Sequence, residues 1–140
     1  MTESSDVFMQ TNEELGSHFK RSEFRCKGTN CDGNGNNCGF DTVDATLIMV
    51  LEYVRSNVGH PVIVSSGCRC PAHNKAVGGS SNSKHMQGRA ADIRCPDVMW
   101  ETLKEKVDTL MDGWGGVGYY QNQGFIHVDT RTGPPARWHG

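Results

Sequence analysis

Apolar positions recur at helical spacing in two stretches of this chain and at strand spacing in four. Val43, Leu47, Val50, Leu51 and Val54 recur with spacings of three and four, which predicts a helix that Asp41 or Thr42 can cap. Gly59-His60-Pro61 ends it. Residues 62–65 are mostly β-branched and lie between turn formers, as a short buried strand does. Residues 66–89 are rich in Gly, Ser, Asn and Pro and predict one long irregular loop, a kind of segment that usually carries function. A strand at 90–93 follows. Pro96 or Asp97 then opens a second helix with Trp100, Leu103, Val107, Leu110 and Met111 as its apolar stripe. Strands at 117–120 and 125–129, joined by a polar turn at 121–124, complete the pattern. Helices and strands do not alternate strictly and no repeat is visible, so the predicted class is α+β.

At 140 residues the chain fits one domain with one modest core. Residues 1–16 are polar and aperiodic and read as a flexible leader, which leaves 17–140 as the domain. A net charge of −2 provides no basic footprint, so nucleic acid is not an expected partner. No apolar run approaches the roughly 20 residues of a membrane helix. The N-terminus has neither a basic nor an apolar signal region, so synthesis in the cytoplasm without a signal peptide is expected.

Six cysteines, Cys26, Cys31, Cys38, Cys68, Cys70 and Cys95, are many for so short a chain. Disulfides, a structural metal and buried thiols all stay open, because the spacings fit no regular zinc-finger pattern. The Gly/Asn-rich loop 26–39 starts like a calcium loop at Asp32. Asn37 stands where that loop needs Gly, however, and Val43 where it needs Glu. A turn held by neighbouring cysteines fits better.

His85, Asp92 and His127 form the candidate chemistry. Two imidazoles and a carboxylate can hold Zn²⁺ and leave one position open, as hydrolytic sites do. Small residues Gly88, Ala90 and Ala91 let the backbone between His85 and Asp92 pass close to an ion. Side chains alternate along a strand, so His127 and Asp129 share a face. Asp129 can therefore take a proton there or orient a ligand. His18, His60, His73 and His139 are read as surface or hydrogen-bonded residues.

Longer segments carry a resemblance. They are 65–74 (Ser-Ser-Gly-Cys-Arg-Cys-Pro-Ala-His-Asn), 76–79, 82–92, 115–120, 125–131 and Arg137-Trp138, together with the opening at 18–24. In this order they resemble the zinc D-alanyl-D-alanine carboxypeptidase family of metallopeptidases, especially its small phage and bacterial peptidases. The resemblance covers residues 18 to 138. It implies the Hedgehog/DD-peptidase-like fold, a small, mostly antiparallel sheet with flanking helices. It implies one catalytic zinc on His85, Asp92 and His127, Arg69 on the substrate, and Ser83 contributing a hydrogen bond near the site. The implied substrate is the peptidoglycan stem peptide, cut by zinc-bound water at a bond involving a D-amino acid. Apart from the resemblance, no membrane insertion and a monomer are expected. A lysis enzyme or virion part of a phage or prophage, acting on the cell wall, would fit.

This chain departs from the family pattern at two positions. Many relatives carry an acidic base three residues before the last His ligand, and here that residue is Gly124; Asp129 is the natural substitute. Cys68 replaces a common aromatic residue and, with Cys70, can help pin the cysteine loop. Gly124 keeps one alternative in view, a zinc-bearing wall-binding or structural module without turnover; a signalling-type Hedgehog-like domain is a further alternative, against which the absence of a readable export signal counts.

Overall fold

The computed structural model describes residues 13–140, so residues 1–12 of the expected leader lie outside the described residues. Leu15 is already part of the core, and Glu14 bridges to Lys20 just before a 3₁₀ turn at Arg21–Phe24. Helix α1 (Ala45–Val58) begins later than the predicted caps. Asp44 occupies its N-cap, but the Asp44 carboxylate accepts the Thr130 hydroxyl at 2.9 Å instead of capping. Gly59, in the left-handed region, closes the helix.

Five strands follow: β1 (Ile63–Ser66), β2 (Ala90–Arg94), β3 (Gly116–Tyr120), β4 (Phe125–Asp129) and β5 (Ala136–His139). They form one sheet in the order β1-β2-β4-β3-β5, antiparallel except for β3 beside β5. The expectation of an α+β fold with a mostly antiparallel sheet holds. Among the described residues no helix is long and apolar enough to cross a membrane.

Two elements correct the sequence reading. The 66–89 segment is not one irregular loop. It contains helix α2 (Pro71–Ala76) and a 3₁₀ turn at Lys84–Gln87. Six residues with only Asn74 buried carry no apolar stripe, so periodicity cannot reveal α2. Strand β5 was not expected either. As an edge strand reading Ala-Arg-Trp-His it is half exposed and lacks apolar alternation.

Alternation along the strands divides the sheet's two faces between core and chemistry. Ala91 and Ile93 of β2, Val117 and Tyr119 of β3, and Ile126 and Val128 of β4 join the core. There they meet Leu47, Leu51 and Val54 of α1 and Leu103 and Val107 of helix α3 (Trp100–Leu110). The intervening positions face the other way. Across that face one register row reads Ser66, Asp92, His127, Gly118, Trp138, one residue from each strand.

Candidate metal centre

That row brings Asp92 beside His127, and the turn at Lys84–Gln87 adds His85 from above. The Ser83 hydroxyl accepts the His85 amide at 3.2 Å and so caps this turn. Gly88 ends it at φ +69, where a Cβ would fall 2.5 Å from the Thr42 carbonyl oxygen. All three side chains are buried: His85 is 2% exposed, Asp92 7% and His127 9%.

Hydrogen bonds define which ring nitrogens face the centre. His85 Nδ1 lies 2.6 Å from the Gly67 carbonyl, which can only accept, so Nδ1 carries the proton. Its Nε2 lone pair then points at Asp92 Oδ1, 3.1 Å away. His127 is reversed. Its Nε2 donates to Asp129 Oδ2 at 2.8 Å, which leaves the Nδ1 lone pair 3.0 Å from the same Asp92 oxygen. With each ring singly protonated, three acceptors converge and no proton lies between them. A metal cation or an added ring proton relieves the repulsion among them. One ligand atom from each residue lies within 4.8 Å of the others, so this donor set fits a single Zn²⁺.

Charge around the centre is balanced by two arginines. Burial pushes the Asp92 carboxyl up; in the metal-free centre a ring proton of His127 or His85 turned toward Asp92 outweighs it and holds the carboxyl far below the usual carboxylate range. Arg69 Nη2 stands 3.5 Å from Asp92 Oδ2. Its other nitrogens donate to Ser66 Oγ at 3.2 Å and to Asn74 Oδ1 at 3.0 Å. Arg131 donates to both Asp129 oxygens, at 2.8 and 2.7 Å, and its backbone amide donates at 3.1 Å. Burial raises the Asp129 carboxyl too, and its bonds to Arg131 and His127 bring it well below normal.

Asp129 has no exposed surface, and small residues surround it in its register row: Ala90, Gly116 and Ala136. A Cβ on Gly116 would fall 2.3 Å from Asp129 Oδ2. Gly118 makes similar room for the Trp138 indole, which lies against the His127 ring at 5.1 Å. Gly124 sits at φ +78 as the cap of a short turn, a conformation that favours glycine over residues with a side chain.

A cleft of ≈ 530 Å³ opens over the three ligand candidates. Arg69 and Ser83 line it, as do Tyr120, Arg131 and Trp138, which reasoning from the sequence did not assign to the site. The strand period could have flagged Tyr120, two residues beyond Gly118 on the same face. Asp129 does not line the cleft. The other histidines stay apart from it: His18 pairs with Glu52 at 2.7 Å, His60 lies 4.0 Å from Asp97, and the His139 ring lies tilted against Tyr119. His73 is half-buried beside Gly28 and Cys70.

Comparison with known proteins agrees with this construction. Residues 17–129 match the family model of peptidase M15. The chain belongs to the peptidase M15 family. A protein described as a probable peptidoglycan L,D-endopeptidase MepK, from Haemophilus influenzae, is 33% identical over 106 residues, covering 70% of this chain and 55% of the relative. The peptidoglycan L,D-endopeptidase MepK of Escherichia coli K12 is 30% identical over 83 residues, 56% of this chain and 43% of that protein. This M15 chain thus spans about half the length of the curated relatives it matches.

Proposed function

We propose that this chain is a zinc-dependent peptidase that hydrolyses a peptide bond in the peptidoglycan stem. One observation carries the reading: three lone pairs, from His85 Nε2, Asp92 Oδ1 and His127 Nδ1, converge at the floor of an open cleft with Arg69 beside them. Two relatives described as L,D-endopeptidases favour an internal bond over a terminal D-alanine. When bound, a zinc ion supplies Lewis acidity to the scissile carbonyl and acidifies water at the site.

The protein's own groups bind and orient. Arg69 is held by Ser66 and Asn74, so its guanidinium meets a substrate carbonyl or carboxylate in a pre-set orientation. Tyr120 accepts the Trp138 indole N–H at 2.9 Å, and together they wall the cleft beside His127. Ser83 holds the His85 turn and presents its side chain at the cleft's edge. Asp129 serves as a positioning residue: by accepting the His127 Nε2 proton it keeps Nδ1 free to ligate. Full burial and saturation by Arg131 favour this role over that of a proton acceptor for cleft water.

A second reading rests on the cleft's composition. Among the described residues lining it, Asp92 is the one carboxylate. A wall-binding module that keeps the zinc site without turnover would look the same. Incubating the purified protein with peptidoglycan, with and without a chelator, separates the two. Chelator-sensitive release of stem fragments, identified by mass, supports the peptidase. Sedimentation with the wall and no release in any wall type tested supports the binding module.

A further inference from the structure

We propose that Cys26, Cys31, Cys38 and Cys70 form a second metal site, a tetrathiolate that holds a structural zinc ion and ties the Gly/Asn-rich loop to the start of α2. The four sulfurs all lie within 4.8 Å of one another, and the Sγ atoms of Cys26 and Cys31 are 3.9 Å apart. A tetrahedral zinc with Zn–S bonds of about 2.3 Å sets neighbouring sulfurs about 3.8 Å apart. Paired disulfides would instead draw the sulfurs together two by two. All six cysteines are free thiols, and Cys68 and Cys95 lie outside the cluster.

The loop's composition points to the same conclusion. From Lys27 to Gly39 it contains no apolar side chain apart from Cys31 and Cys38, so it buries nothing that would offset the entropy of ordering it. Its shape nonetheless converges on the sulfurs. Asn37 donates to the carbonyls of Cys26 and Gly28, at 2.7 and 2.6 Å, which folds the loop back on itself. A Cβ on Gly28 would fall 2.6 Å from Cys31 Sγ. Backbone amides donate to two of the sulfurs, Phe40 to Cys38 and His73 to Cys70, each at 3.4 Å, as suits thiolate ligands. Each thiol would release its proton to solvent as zinc binds, and Lys27 and Lys75, which line a cavity together with Cys31, can balance the resulting negative charge. Cys70 directly follows Arg69, so a metal there would also brace the arginine of the cleft. The proposal does not depend on metal binding in the cleft.

The test is elemental analysis of the full chain produced with added zinc and purified without chelator, beside a His85→Ala/His127→Ala variant. We expect about two zinc per wild-type chain and one in the variant. Cobalt loaded into that variant should give the intense thiolate-to-cobalt charge-transfer absorption of a sulfur-rich site. If both proteins hold one zinc and the cobalt signature is present, the cysteine site stands and the cleft reading fails. No zinc in the variant overturns the cysteine site. Should the variant not fold, thiol titration of the wild type decides: four thiols that react only after chelation support the site. A mass short by two hydrogens per bond, showing disulfides, or six thiols reactive without chelator, refutes it.

Discussion

Asp129 meets His127 on the side of the ring turned away from Asp92, with Oδ2 2.8 Å from Nε2. The contact selects one tautomer of His127 and aims Nδ1 into the centre. Asp129→Ala should therefore weaken zinc binding in the cleft about 10- to 100-fold. It should also cost about 1–3 kcal/mol of stability, because partly exposed Arg131 loses its partner. Asp129→Asn keeps an acceptor for Nε2 and should retain more of the affinity than Asp129→Ala. Competition titration with a chromogenic chelator and urea unfolding measure the two effects. Equal zinc affinity in all three proteins would remove the orienting role.

Arg69→Lys keeps a positive charge beside Asp92 but loses the fork that spans Ser66 and Asn74. If Arg69 holds the carbonyl under attack, peptide release should slow about 100-fold or more while zinc content stays unchanged. Release at the wild-type rate would show that the guanidinium does not touch the reacting group.

Gly118→Ala places a methyl group 2.5 Å from Trp138 Cε2. The indole must leave its position on His127, with an expected loss of about 1–3 kcal/mol and a change in tryptophan fluorescence. The backbone is not the cause, since Gly118 has an ordinary negative φ. An unchanged emission spectrum together with unchanged stability would contradict the packing described here.

Tyr119 predicts an alkaline effect remote from the metal. Burial and its hydrogen bond to Asp108 push the Tyr119 hydroxyl up to about 12. Unfolded tyrosine titrates near 10. As pH rises between these values the unfolded chain loses its proton first, so this contribution is complete below about 10 and lost by about 12. Tyr119→Phe should flatten that part of the stability curve. Tyrosinate absorbance of the wild type should show a late-titrating group that is absent from the variant.

Much of this fold can be read from the chain because its periods are physical. Leu47, Leu51 and Val54 mark α1, and the alternation through Phe125–Asp129 already separates His127 and Asp129 from Ile126 and Val128. Helix α2 and strand β5 escaped because neither presents an apolar stripe: one buries an asparagine and the other lies half-exposed at the sheet edge.

By itself, the sequence determined the class, the two core helices, four of the strands and the three ligand candidates, since each depends on residue type and local spacing. Only the tertiary structure decided which nitrogen of each histidine faces Asp92, because distant groups, the Gly67 carbonyl and the Asp129 carboxylate, take the other proton. It alone also selected four cysteines from six, by bringing Cys70 to a loop more than thirty residues earlier in the chain. Contacts at such separation leave no local period, whereas Asp129, two residues from His127 on the same strand face, was already legible as a group that could take a proton or orient a ligand.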